Sequence, residues 1–354
     1  MQTFIYNALP GRIVFGAGRS LEVVSELERL GANHALVICS EGQADAARTL
    51  ASSLGTRCAG VCSEAAMHTP VAITEHVLEL VKTLEVNCLI ALGGGSAIGL
   101  SKALALRTGL PQIVIPTTYA GSEVTAVLGE TADGVKRTQR SLDVLPEVVI
   151  YDVEQTLQLP SAMSAASGMN ALAHAAEALY SQDANPLISQ LATQAIEALA
   201  TSLPAIVRQP QDRQARSQAQ YGAWLAGTCL GAVGMSLHHK LCHVLGGSFD
   251  LPHAETHAVM LPHAIAYNAE AAPQAMAAIA AAMRSENAPL SLFHLLQSLN
   301  LPISLKQLGM QESDLPRALE LTLRDAYWSP RPLEKNAIRT LLYNAYHGLA
   351  PFTP

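Results

Sequence analysis

Charge is scarce in this chain: 14% of its 354 residues are Asp, Glu, Lys or Arg, and 22 basic against 29 acidic residues leave a net charge of −7. With no basic excess to attract them, neither nucleic acid nor an anionic membrane is expected as a partner. Aromatic residues are equally thin at 5%, so any core must be built from Ala, Leu, Val and Ile, within a hydrophobic content of 49%. That balance excludes a disordered chain. The six cysteines (Cys39, Cys58, Cys62, Cys88, Cys229 and Cys242) include no Cys-x-x-Cys pair. They read as reduced, buried small hydrophobes. The opening Met-Gln-Thr-Phe-Ile-Tyr offers neither a basic nor an apolar signal region, and a cytoplasmic location is expected. Ser217 to Leu237 is uncharged but rich in Gly, Ala, Ser and Thr, which predicts a buried helix rather than a membrane span.

The chain is long enough for two domains at about 150 residues each. From Ala35 to Asp152, apolar runs alternate with helical patterns. Ala35–Cys39, Cys88–Leu92 and Gln112–Pro116 are strand candidates, with a weaker run at Cys58–Cys62. Helical spacing occupies Ala44–Leu54 and Pro70–Glu85. This rhythm predicts a parallel sheet covered by helices on both faces. Thr125 to Ile150 interrupts it, and Asp133-Gly134 suggests a hairpin turn there. Beyond Pro160, Ala-rich helical patterns cover Ser161–Leu203, Gln214–Leu245, Pro273–Met283 and Leu315–Arg324. The boundary falls in the Tyr151–Pro160 connection.

Gly93-Gly94-Gly95-Ser96 follows the strand ending at Leu92 and opens a helix reaching about Arg107. Consecutive glycines let backbone N–H groups approach a phosphate, and the helix N-terminus adds partial positive charge. The GxGxxG spacing is absent, because Ile98 stands where a third glycine belongs. A tight strand-to-helix turn without a ligand stays open as an alternative. Pro116-Thr-Thr-Tyr-Ala-Gly-Ser-Glu123 follows the next strand. Two polar loops on successive parallel strands favour a dinucleotide site.

The chain is rich in one residue type. Of 12 histidines, six (His238, His239, His243, His253, His257 and His263) fall within 26 positions. Asn170 and His174 sit at i and i+4 of one helix, and His239 and His243 repeat that spacing on another. Imidazoles so spaced serve metal binding or proton handling. Among the remaining histidines, His257 and His263 are the stronger candidates to line the site.

Together these segments resemble the iron-containing alcohol dehydrogenase superfamily, which includes glycerol dehydrogenase and is related to dehydroquinate synthase. The resemblance runs from Phe15-Gly-Ala-Gly18 to Trp328-Ser-Pro-Arg331. It implies an α/β nucleotide-binding domain with a parallel sheet at residues 1–155 and an all-α catalytic domain at 156–354. In that superfamily the active site lies in the cleft between the two. The resemblance implies NADH or NADPH held by Ser40, Gly93, Gly94, Gly95, Ser96, Thr117, Thr118, Tyr119 and Ser122, and a homodimer. The superfamily's metal positions fall on Asn170, His174, His239 and His253, and its further catalytic histidine on His243.

The departures from the superfamily pattern carry information. Asn170 replaces a metal-binding aspartate and supplies no negative charge, so a divalent ion would be held weakly. Gly99 stands where an acidic residue is usual. Ser40 occupies the place of an aspartate that selects the ribose of NAD, which weakens discrimination against NADPH. The loop after Pro116 is one residue short. With Ser167-Gly-Met-Asn170 and Leu237-His-His-Lys-Leu-Cys-His243, these features are similar to a branch that works without a metal. That branch reduces the carbon–carbon double bond of an unsaturated oxo-dicarboxylate during bacterial breakdown of aromatic compounds. The resemblance implies catalytic roles for His243, His253, His174 and His239, no metal, and a small dicarboxylate substrate. Asn170, Lys240 and Arg331 are the candidates for binding it, with Lys335 a further cation. Two alternatives stay open: a metal-dependent alcohol or polyol dehydrogenase tolerating Asn170, and a lyase of the dehydroquinate synthase type.

Overall fold

The computed structural model describes residues 3–132, 135–324 and 327–352. They form two compact units: an α/β unit, Leu9–Leu159, and a helical unit that begins at Pro160 and also takes in Thr3–Ala8. The division thus falls four residues later than 155/156, and the N-terminal strand-free segment groups with the helices.

The α/β unit is built on eight strands among the described residues: β1 Arg12–Phe15, β2 Ala35–Ile38, β3 Cys58–Cys62, β4 Cys88–Gly93, β5 Gln112–Pro116, β6 Val127–Ala132, β7 Val135–Arg140 and β8 Val148–Tyr151. Six make a parallel sheet in the order β1-β8-β5-β4-β2-β3. The inner strands β2, β4, β5 and β8 are buried at every position, whereas the edge strands β1 and β3 are largely half-exposed. Inner parallel strands are covered on both faces and therefore read as unbroken apolar runs. The covering helices are α1 Val23–Arg29, α2 Ala44–Leu54, α3 Val71–Thr83 and α4 Gly95–Thr108. Val23 and Leu27 of α1 and Ala47, Leu50 and Leu54 of α2 pack on one face over Val37, Ile90, Ile113 and Ile150. The interrupting segment is an antiparallel pair, β6 with β7, after which β8 returns to the sheet between β5 and β1. The expected turn residues Asp133-Gly134 lie outside the described residues.

Strand order fixes where a ligand can sit. From β2 the chain moves to β3 on one side, and from β4 it moves to β5 on the other. The carboxyl ends of the neighbours β2 and β4 therefore open onto diverging loops, the position where doubly wound sheets bind nucleotides.

The helical unit comprises α5 Ser161–Ala178, α6 Pro186–Arg208, α7 Arg213–Ala232, α8 Leu237–Phe249, α9 His253–Asn268, α10 Pro273–Ala282, α11 Ala288–Ser298, α12 Leu315–Leu323 and α13 Lys335–His347. Helix α5 is its axis, with 15 of 18 residues buried, and it packs against α6, α7 and α9. Burial all round marks a core helix, and its run of alanines lets neighbours approach closely. The stretch read as one helical pattern from Ser161 to Leu203 is two helices, because Asn185 caps α6 by accepting from the Ile188 N–H ahead of Pro186. No helix among the described residues is long and apolar enough to cross a membrane, and the uncharged Ser217–Leu237 stretch lies mostly in α7.

Close packing of α7 on α6 gives a direct test. A Cβ at Gly222 would lie 2.8 Å from Leu199 Cγ and 3.3 Å from the Ala195 carbonyl oxygen. Helix propensity alone would make Gly222→Ala stabilising by about 1 kcal/mol. Overpacking of about 1–3 kcal/mol outweighs it, so the thermal midpoint should fall; an unchanged or higher midpoint would mean that α7 moves freely against α6.

Candidate active site

In the α/β unit the loops expected to hold a dinucleotide follow β2, β4 and β5, which are adjacent in the sheet. Ser40 follows β2 and precedes a short 3-10 turn, Glu41–Gln43. Gly93 ends β4 with φ of 149°, Gly94 caps α4, and Gly95 is exposed at its first turn. The Thr117 N–H donates to the Gly93 carbonyl at 3.1 Å, stitching the β5 loop to the glycine turn. A Cβ at Gly94 would come within 2.8 Å of Thr118 Cγ2, so glycine is required there for the two loops to meet. First-turn amides of α4 have no acceptor within the helix. Glycine cradle, helix N-terminus and switch-point placement fit the pyrophosphate of a nicotinamide dinucleotide. Tyr119 departs from expectation: the residue is fully buried and presents no surface to a cofactor.

Lys102, buried in α4, holds this arrangement from within. Its Nζ donates to the carbonyls of Ser122 (2.6 Å), Thr125 (2.7 Å) and Val127 (3.0 Å) and to Thr125 Oγ1 (3.0 Å). The buried Glu123 lies in the same loop and accepts from the Tyr151 hydroxyl at 2.8 Å. Burial pulls the Lys102 ammonium down to about 7, with the Glu123 charge acting the other way. The place of the superfamily's acidic residue is sterically closed, because the Thr69 hydroxyl leans directly over Gly99.

In the helical unit, helix geometry aligns Asn170, His174 and Glu177 on one face of α5, at i, i+4 and i+7. Helix α8 presents His238, His239 and His243, and α9 presents His253 and His257. The rings form a continuous cluster: His174–His239 at 5.1 Å between centroids, His239–His257 at 5.1 Å, His238–His257 at 4.9 Å and His253–His257 at 4.4 Å. His174, His238, His239 and His257 are buried, while His243 and His253 are exposed. His243 Nδ1 lies 2.9 Å from the Tyr327 hydroxyl, and Lys240 Nζ sits 5.6 Å from the centre of the same ring. His239 Nδ1 lies 2.7 Å from Glu177 Oε2. Among the described residues, Asn170 Oδ1, His174 Nδ1, His239 Nε2 and both nitrogens of His257 have no hydrogen-bond partner. Buried polar atoms left in that state mark a place for a ligand or ordered water.

The structure separates three expected members, Arg331, His263 and Lys335, from the others. Arg331 stacks on Tyr267 at 4.5 Å and lines, with His263, Asn336 and Thr340, a different cavity of about 210 Å³. His263 lies ten residues beyond His253 along α9, about 15 Å by helix rise. Lys335, the first residue of α13, lines a groove with Glu312, Leu315 and Tyr343. Two residues were missed. Glu177 carried a signal, an acid three residues after His174 on an otherwise apolar helix. Tyr327 carried none, since 84 residues separate it from His243.

A divalent ion needs converging lone pairs. Ring nitrogens of His238, His239 and His257 come within 4.8 Å of one another. His238 Nε2 lies 3.0 Å from the His257 carbonyl oxygen and so carries the proton. Its free lone pair is on Nδ1, 3.4 Å from His239 Nδ1, which faces Glu177 Oε2. His239 Nε2, without a hydrogen-bond partner among the described residues, lies on the other side of the ring. The four oxygen lone-pair directions of Glu177 are taken by the N–H groups of Ser236 and His238, by His239 Nδ1 and by the Tyr180 hydroxyl.

Residues 10–153 match the family model for iron-containing alcohol dehydrogenase, and residues 164–346 match the C-terminal model of the Fe-containing alcohol dehydrogenase family. The chain belongs to the iron-containing alcohol dehydrogenase family, and it is an oxidoreductase. It is 54% identical over 351 residues to the maleylacetate reductase of Rhizobium sp. strain MTP-10005, covering 99% of this chain and 100% of the relative. The crystal structure of maleylacetate reductase from Agrobacterium tumefaciens superposes with a TM-score of 0.97 at 55% identity, covering 99% of this chain and 100% of that one. An iron-containing alcohol dehydrogenase from Corynebacterium glutamicum superposes at 0.94 with 40% identity, covering 98% and 97%.

Burial keeps these imidazoles neutral. It pushes His174, His239 and His257 well below the ordinary 6.5, with neighbouring imidazoles adding to the effect, and takes His238 and His263 to about 4. For each, the unfolded chain binds the proton more readily between about 6.5 and the folded value. The stability they contribute is therefore complete above pH 6.5 and is lost on acidification, by up to about 1.4 kcal/mol per pH unit per group. Glu123 and Glu177, raised by burial, act in the opposite sense and offset part of this. Urea denaturation should show stability falling steeply from pH 6.5 towards 4.5; a flat profile would mean that the cluster is hydrated and charged.

Proposed function

We propose that this protein is an NADH- or NADPH-dependent reductase of maleylacetate, converting its carbon–carbon double bond to the single bond of 3-oxoadipate in bacterial breakdown of aromatic compounds. The observation that carries this reading is the neutral pocket: an amide at Asn170, beside His174 and His239, where a metal-dependent alcohol dehydrogenase needs a carboxylate. The ring nitrogens of His238, His239 and His257 do not converge on one point, and at Asn170, His174, His239 and His253 an amide oxygen stands in place of the carboxylate that would hold a divalent ion firmly; no step runs through one.

The nicotinamide, when bound, supplies hydride to the alkene carbon β to the ketone. Negative charge then develops on the ketone oxygen as an enolate, and conjugation makes this possible without a Lewis acid. His253, the first residue of α9, and His243 are the groups that meet that charge; the helix N-terminus at His253 adds its partial positive charge. His243, hydrogen-bonded to Tyr327, delivers the proton to the carbon beside the ketone. Lys240, next to that pair, binds one substrate carboxylate. Asn170, His174 and His239 line the buried wall as neutral hydrogen-bonding groups. Arg331, assigned to the substrate from its sequence context, stands instead around the separate cavity near Tyr267. Ser40 in place of an acid leaves both nicotinamide cofactors acceptable. A homodimer is what the same family resemblance implies.

The wild-type protein should oxidise NADH with freshly prepared maleylacetate and leave a panel of alcohols and aldehydes unreacted. Chelator treatment should not change the rate, and elemental analysis should find no stoichiometric iron or zinc; a metal on which activity depends would favour the alcohol or polyol dehydrogenase alternative. His243→Ala should lower kcat by about 10²–10⁴-fold. Near-normal turnover of that variant would remove His243 from the mechanism.

A further inference from the structure

The cluster's least exposed acid has no part in the chemistry so far. Glu177 is fully buried in α5, and every polar neighbour it has is a donor. Its Oε1 accepts from the His238 N–H at 2.8 Å and the Tyr180 hydroxyl at 3.3 Å, and its Oε2 from the Ser236 N–H at 2.9 Å and His239 Nδ1 at 2.7 Å. Two of these are backbone amides at the start of α8, groups that a helix cannot satisfy internally. A carboxylate here binds the helix N-terminus and a histidine on that same helix at once.

We propose that Glu177 is a positioning residue, which locks His239 in the tautomer protonated on Nδ1 so that Nε2 faces the imidazole cluster as an acceptor. A carboxylate can only accept, so the shared proton belongs on Nδ1 and the lone pair on Nε2. That Nε2 is buried and has no partner among the described residues, and it belongs to the ring that neighbours His174 at 5.1 Å and His243 at 6.2 Å. An acceptor in that position can orient only a donor: a water, or the N–H of a neighbouring ring. Through His243 the path continues to Tyr327, giving a line of proton-handling groups from a buried carboxylate to an exposed hydroxyl. Turned to the other tautomer, His239 would point an N–H into the cluster and interrupt that line. The importance of this for turnover rests on the reduction proposed above; the tautomer itself does not.

The full-length protein labelled with ¹⁵N-histidine tests this by long-range ¹H–¹⁵N correlation without substrate. The signals that disappear in His239→Asn should have a protonated, pyrrole-type Nδ1 and an unprotonated, pyridine-type Nε2. In Glu177→Gln that pattern should reverse or become mixed. Its kcat should fall by about tenfold to a hundredfold, in the range of losses from removing an orienting partner. KM for NADH should change by less than about threefold, since the dinucleotide loops are untouched. An Nε2-protonated His239 in the wild type would overturn the proposal, whether or not Glu177→Gln folds. So would a folded Glu177→Gln protein with normal kcat. Failure of the wild type to oxidise NADH with maleylacetate would instead count against the substrate, leaving the tautomer intact.

Discussion

Burying imidazoles is stable only while they stay neutral, and that constraint shapes the helical unit. Four rings from α5, α8 and α9 are packed out of water, and burial outweighs every other influence on their protonation. Beside these rings the buried acid is Glu177, whose carboxylate meets two helix-start amides, a ring nitrogen of His239 and a hydroxyl. Those four donors offset part of the cost of burying the carboxylate and leave it no lone pair for an ion. The exposed histidines, His243 and His253, are free of this constraint and stand where proton exchange with a substrate is feasible. Asn170, on the α5 face beside these rings, adds an amide and no charge to the buried wall.

In the α/β unit the corresponding constraint is topological. Parallel strands whose connections diverge leave an opening at their carboxyl ends, and glycines let two loops close on each other there. The Lys102 ammonium, fixed by three carbonyls of the β5 loop, stabilises that contact from the inside of α4. The loop that meets the glycine turn is therefore held by a buried cation.

Much of this fold is legible in the sequence, for physical reasons that also explain the gaps. Strands β2, β4 and β5 are covered on both faces, so their residues are continuously apolar. The edge strand β1 is only partly buried and gives no such run, while β8 is buried but follows directly on a hairpin excursion that obscures it. Helix α9 escaped because Pro262 and three histidines break its pattern, yet its residues are buried from Thr256 to Asn268. Within the site, i, i+4 spacing brought out Asn170, His174, His239 and His243 because helix geometry makes near neighbours of them. Tyr327 and the separate position of Arg331 depend on how a distant loop packs, and local spacing contains no record of that. Glu177 lay between: its position on the α5 face was readable, but its partners sit on α8.

The central claim is that hydride goes to carbon and not to the carbonyl. NADH deuterated at the transferring position, used with maleylacetate, places that claim on one carbon. The account predicts 3-oxoadipate with deuterium on the methylene β to the ketone, and a proton from solvent on the carbon between them. Deuterium on a carbinol carbon, with the double bond retained, would contradict it and return the protein to the carbonyl-reducing chemistry of alcohol dehydrogenases.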